Sequence, residues 1–503
     1  MELTRWILIP MAAMAICCGK GGDAAGEQQG GQDDPETPVD PPQPPVDETL
    51  VCVDAPLVLE FDEDVVLGTD GTLKVFNNRD RQVDVIDLAD AATVTTRDDG
   101  IDIPKTKIED GTLMTTWMNA LRCGSRYRVV HYTPLKVDGK KLIVKPHSGV
   151  LDYNSEYYVI LDAGFVKDRL GIEKGEYTFK TKAKPTSTTL SVNPDGKSDF
   201  CTIQGAIDYA ASLGKETAVT IEIARGEYEE MLFIRDKNNL TIKGRSRAST
   251  TLLYANNESY EGGSGGSVSS KPSIGRDFSK SGGRSVILIE SCSNLSIESL
   301  TMRNTFGNLE GQAEVIYFNN DNGTLSIKDC ALHSLQDTFQ CKGTVSVSNT
   351  LIAGHCDFIW GGPKVCTFDN CEIRAMAKGY VVQARVNNAT DKGFIFRNCR
   401  FTAADGVADG VMYLARANDH SGETTKTFDN VTFINCTLGP VIAAEGWCVY
   451  KNNGRDIKPN PEVPTATSGW KEYGSKDKNG NPVTGHNAYG KVLTEEEAQY
   501  FME

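Results

Sequence analysis

The chain has 503 residues, 39% hydrophobic and 24% charged, an ordinary balance for a globular protein and enough length for more than one core. Its formal net charge of −16 excludes the electrostatics of nucleic-acid binding, which neutralises phosphates with lysine and arginine. The same charge repels a polyanionic glycan unless the groove is locally basic or the acids are masked, as in esters. The 14 cysteines and six histidines show no paired CxxC spacing, so no metal and no cofactor is expected.

In chain order, residues 1–18 carry Arg5, an apolar run from Trp6 to Ile16, then Cys17 and Cys18, the pattern of an export segment too short to span a bilayer. A cysteine directly after such a run resembles a bacterial lipoprotein signal. The resemblance implies a lipid anchor in the outer membrane, on its periplasmic or outer side, as the sole membrane contact. Residues 19–48, with PETPVDPPQPPVDET, have little to bury and read as a disordered tether. From 49 to 186, short apolar runs alternate with turn signals: LVLEFDED, TLKVFNN, YRVVHYTPL, KKLIVKPHSG, EYYVILDAG and EYTFKTKAKP. They predict an antiparallel β-sandwich, and the closing pattern resembles bacterial Ig-like domains that act as spacers or docking modules. Asp162 and Asp168 read as turn formers. Cys52 and Cys123 are candidates for a disulfide after export, or for reduced burial.

From 187 to 503 the pattern changes. DFCTIQGAIDYAASLG predicts an amphipathic helix with Ile203, Ala206, Ile207 and Ala210 on one face, suited to capping the open end of a solenoid. Repeats follow, marked by Ile242, Ile297, Ile327, Val347, Phe368, Phe396 and Phe433. In the last four, an asparagine stands two residues later (Asn349, Asn370, Asn398, Asn435), followed by Cys or Thr. Alternating apolar residues running into a polar turn at this period predict a parallel β-helix. Cys330, Cys371, Cys399 and Cys436 then read as small core residues.

Two aspartates stand at the same offset: Asp337 ten residues after Ile327, and Asp357 ten after Val347. Stacked coils would place them about 4.7–4.9 Å apart, one strand spacing. Carboxylates that close push their pKa values apart, leaving one protonated acid beside one charged nucleophile or base.

RGEYEE (225–230), SLTMRNT (299–305), GQAEV (311–315), QDT (336–338), DFIWGG (357–362), VQAR (382–385), YLARAN (413–418), AAEGW (443–447) and LTEEEAQYF (493–501) occur in one order. Together they resemble a pectin methylesterase over about residues 190–503. The resemblance implies an all-β protein with a right-handed parallel β-helix catalytic domain, preceded here by the Ig-like sandwich. It implies hydrolysis of methyl esters in pectic polysaccharide by a monomer without a cofactor. It gives Asp357 as nucleophile, Asp337 as general acid/base, Gln336 and Gln312 as oxyanion holders, and Arg416 as the group that orients the nucleophile. Trp360, Asn418, Gln383 and Tyr228 are the candidate substrate contacts, with Tyr380, Tyr413 and Trp447 dividing between groove and core. The family's glycine, proline and tryptophan around the arginine are replaced by Ala415, Ala417 and Asn418, which points to altered sugar recognition. Two other readings stand beside this one: a calcium-dependent lyase, which needs converging carboxylates, and a glycan-binding surface lipoprotein without turnover.

Overall fold

Every apolar landmark of the repeat falls into one column. Ile242 pairs with Ile297, Ile297 with Ile327, Ile327 with Val347, Val347 with Phe368, Phe368 with Phe396, and Phe396 with Phe433 in successive parallel strands. All seven are buried, and the three phenylalanine rings stack at 4.5 and 4.8 Å. The computed structural model describes residues 50–96, 102–104, 112–272, 277–278, 282–420, 424–483 and 485–503. The expected export segment and tether, residues 1–48, lie outside them.

The strands form a 17-stranded and a nine-stranded sheet, the walls of a right-handed parallel β-helix. The larger sheet covers two sides, because strands Phe339–Ser348 and Ile359–Asp369 run through a corner. Their first residues continue the strand Ile316–Asn319, and their last continue Thr324–Lys328. Gly361 permits this: its φ is 123°, and a Cβ there would lie 2.3 Å from the Cys341 carbonyl oxygen. At another corner Asn349, Asn370, Asn398 and Asn435 adopt φ of 49–53°, the left-handed region in which asparagine is enriched. Asn370 donates to Asn349 at 2.8 Å. The thiols of Cys330, Cys371, Cys399 and Cys436 behind them are buried and donate to backbone carbonyls.

Helix α1 (Ile203–Ser212) closes one end, burying Ile203, Ala206, Ile207 and Ala210. Its first amides are unusually well supplied: Thr202 accepts from Gly205, Asp54 from Cys201 and Thr202, and Glu230 from Ile203 and Gln204. Helix α2 (Glu495–Met502) starts with a Thr494–Glu497 capping box. It lays Ala498 and Phe501 over Ile395 and Ile434 on the outside of the coils.

Before the coils, a five-stranded and a three-stranded sheet enclose a separate core that includes Leu59, Val75, Leu142, Val159 and Phe179. Their pairings are antiparallel except for Leu50–Val51 against Thr178–Thr181. The hairpin Met118–Cys123/Arg126–His131 joins neither sheet. It packs instead on α1 and strand Leu232–Arg235, with Leu121, Cys123 and Val130 in the core of the coils. This placement decides between the two readings of Cys52 and Cys123: both are free, buried thiols. Cys123 exchanges hydrogen bonds with the Arg235 backbone, whereas Cys52 packs beside Cys201.

Candidate active site

One corner of the coils carries Gln336 and Asp337 at one level and Cys356 and Asp357 at the next. Parallel bridges join Gln312 to Gln336 and Gln336 to Cys356, and the Asp337 amide donates to the Cys356 carbonyl at 3.0 Å. The aspartates therefore stand in register, one coil apart. Both backbones are left-handed, with φ of 65° at Asp337 and 46° at Asp357. Such strain in non-glycine residues persists where the surroundings over-determine it, as recurs at functional sites.

The two carboxyl groups have different neighbours. Asp357 Oδ2 accepts a hydrogen bond from Arg416 Nη2, while the buried Oδ1 has no partner. Burial pushes Asp357 up to about 6, against the pull of Arg416 and Arg385. Burial raises Asp337 well above the usual carboxylate range, and Glu314 and Asp357 add to this against Arg284 and Arg385. At neutral pH the arrangement favours an ionised Asp357 beside a protonated Asp337. The Arg416 guanidinium lies over Tyr380 at 4.9 Å and Tyr450 at 5.6 Å. Trp360 stands between Arg284 at 5.7 Å and Arg385 at 5.3 Å, with Tyr317 edge-on at 5.8 Å. Of these arginines, Arg284 and Arg416 are paired with carboxylates, so the corner is charge-compensated and suits an esterified, neutral sugar better than a free polyanion.

The structure brings Asp337, Asp357, Arg416, Gln312, Gln336 and Trp360 together, and corrects three of the expected sugar contacts. Tyr228 is only 3% exposed, belongs to the core, and gives its hydroxyl to the Val192 and Ala224 carbonyls. An aromatic on a strand is as readily a core residue as a groove residue, and here the exposed Glu227 and Glu229 on either side leave Tyr228 facing inward. Asn418 is buried among Asp429, His420 and Thr427, its amide donating to Asp429. Ala417 is buried as well, so neither side chain forms a sugar-facing wall. Gln383 is 6% exposed and accepts from Arg385 at 3.1 and 2.6 Å, holding that arginine in place. Trp447 is core, stacked on Trp470 at 5.3 Å.

Sequence reasoning missed Arg284, Arg385, Glu314 and Glu258. Arg385 and Glu314 lie inside VQAR and GQAEV, so their charge beside the aspartates was a usable signal. Among the described residues, the cluster whose ligand atoms converge within 4.8 Å is Cys52, Asp54 and Cys201. It is remote from this corner, and the Lys182 ammonium already sits 3.4 Å from Cys52 Sγ.

Fold and site together define a class: an ester-cleaving carbohydrate enzyme on a parallel β-helix. The family model described as Pectinesterase matches residues 189–458, more than half of the chain, and the chain belongs to that family of carboxylic ester hydrolases acting on pectin. Probable pectinesterase A of Aspergillus niger is 28% identical over 273 residues, covering 53% of this chain and 75% of that protein. Pectinesterase 31 of Arabidopsis thaliana is 26% identical, covering 46% of this chain and 69% of its own length. In fold, the pectin methylesterase PemA from Erwinia chrysanthemi superposes with a TM-score of 0.50 at 24% identity, over 63% of this chain and 96% of that one.

Proposed function

We propose that this protein hydrolyses the methyl esters of galacturonate units in pectic polysaccharide through an acyl-enzyme on Asp357. The observation that carries the assignment is the division of labour within that carboxylate: Oδ2 is held by Arg416 and Oδ1 is unengaged. Oδ1 attacks the ester carbonyl carbon, and the side-chain amides of Gln312 and Gln336 face the tetrahedral oxyanion. Asp337 gives its proton to the departing methoxide, which leaves as methanol. Now ionised, Asp337 takes a proton from water, whose oxygen attacks the acyl carbon and releases both the galacturonate carboxylate and Asp357.

A calcium-dependent lyase would need open carboxylate oxygens converging on the ion. Here Glu258, Glu314 and Asp337 share Arg284, and Asp357 is paired with Arg416. The binding-protein reading likewise lacks support, since both aspartates and their partners are in place. We place the activity in the cell envelope, and the export pattern of residues 1–18 with the tether of 19–48 supports this.

The test is methanol release from highly methyl-esterified homogalacturonan, with and without EDTA. Release that resists EDTA and falls by ~10³-fold or more in Asp357→Asn is expected. Silence of the parent protein on every methyl ester would overturn the reading.

A further inference from the structure

Behind Asp337 lies a second charged cluster that the mechanism above does not use. Arg284 Nε donates to both oxygens of Glu314 at 2.9 Å, Nη1 to Glu258 at 2.9 Å, and Nη2 to Asp337 Oδ2 at 3.3 Å. The Glu314 side chain is fully buried and that of Arg284 is 14% exposed. Glu258 is itself tied to the site, its amide donating to the Gln312 carbonyl at 2.9 Å.

We infer that Arg284, held from behind by Glu314 and Glu258, is a positioning residue that orients Asp337 and sets the pH range over which it donates its proton. The inference rests on the esterase reading. Its physical logic is charge compensation. A lone guanidinium beside Asp337 would fix the carboxyl group but also hold it ionised, which spoils it as an acid. Glu314 neutralises that guanidinium from the other side, so Asp337 keeps a directional hydrogen bond without the full ionising pull. Burial raises Glu314 above the usual carboxylate range, and the Arg284 guanidinium, which bonds both its oxygens, opposes that rise and favours its ionised form. The charged and titratable groups facing Asp337 are Glu314 and Arg284 from earlier coils, Asp357 and Cys356 from the next, and Arg385 beyond it.

The experiment is the pH profile of kcat/KM on a fully methyl-esterified oligogalacturonide for the full-length protein, Glu314→Gln, and the double variant Arg284→Gln/Glu314→Gln. The alkaline limb reports the loss of the Asp337 proton in the free enzyme. In Glu314→Gln the uncompensated arginine favours ionised Asp337, and the limb moves to lower pH by about one unit. Removing Arg284 as well moves it back to higher pH by a similar amount. A merely structural network would lower kcat/KM at every pH and leave the limb in place. That outcome, or shifts in the opposite order, overturns the inference while leaving the esterase reading intact. Thermal melting is recorded for each variant, and if the double variant does not fold, the near-isosteric Glu314→Gln decides alone. A parent protein that releases no methanol would overturn both.

Discussion

Asp357 must be ionised to attack, and its environment makes this conditional on pH. Burial lifts its pKa to about 6 while Arg416 and Arg385 restrain the rise, so kcat/KM should fall as pH drops through about 6. Arg416→Ala removes the nearest restraining charge. The acidic limb should then move to higher pH by about one unit, and kcat should fall by ~10²-fold because Oδ2 loses its orienting donor. Steady-state rates between pH 4 and 8 check both, and a limb that stays in place would dissociate Arg416 from the ionisation of Asp357. The aspartate pair was legible in the sequence because each residue is fixed by a local offset within its own coil. Arg284 was not, because it stands 53 residues before Asp337 and meets it only after two coils have stacked. Tyr228 and Asn418 failed for a related reason: side-chain type does not say which way a residue at a strand end or bend is facing.

The repeating coil was the most legible element. A single apolar landmark, read at an irregular period, proved to be one continuous column of pairs, because parallel register repeats the same inward position at every level. The outer faces follow no such rule, and Lys471 shows the consequence. It stands in the row Ile395, Thr432, Lys471, under the C-terminal helix, and is completely buried. Its ammonium donates to the Gly469 carbonyl at 2.5 Å and lies 5.3 Å from the Phe501 ring. Burial drives its pKa from 10.5 to about 7. The unfolded chain therefore binds this proton more tightly than the folded one. Stability from this group rises with pH between about 7 and 10.5, and the penalty is fully present below about 7. Lys471→Met keeps the length and removes the charge, relieving at most ~5 kcal/mol. The melting temperature should rise by about 2–4 °C for each kcal/mol relieved. Calorimetry at pH 6 and pH 9 checks the sign: the gain should be larger at pH 6, and a loss at both would show that the ammonium is a net stabiliser.

For the molecule as a whole, the question is whether the N-terminal sheets are a spacer or part of the catalytic body. The family match begins at residue 189, which on sequence alone makes everything before it dispensable. The packing argues otherwise. Arg128, fully buried on the hairpin, donates to the carbonyls of Gly282, Leu232, Val286, Gly283 and Ser285, at distances from 2.5 to 3.3 Å. Gln204 of α1 bridges the Arg122 carbonyl and the Phe233 amide. Arg122 pairs with Asp208 at 2.7 Å, and Asp54 supplies the first amides of α1. Removing residues 1–186 takes away the Arg128 and Asp54 hydrogen bonds and the Arg122 partner of Asp208, and uncovers the apolar face that receives Leu121, Cys123 and Val130. What destabilises the fragment is the uncovered apolar face, at about 25 cal/mol for each Å² returned to water, set against a domain stability of only roughly 5–15 kcal/mol. Residues 187–503 produced alone should therefore be poorly soluble or bind a hydrophobic dye, although every residue of the aspartate corner is retained. In the full chain, Arg128→Ala should lower the melting temperature and, because Arg128 bonds the Gly283 and Ser285 carbonyls on either side of Arg284, should lower kcat as well. A well-folded, fully active 187–503 fragment would instead return the N-terminal sheets to the role of spacer.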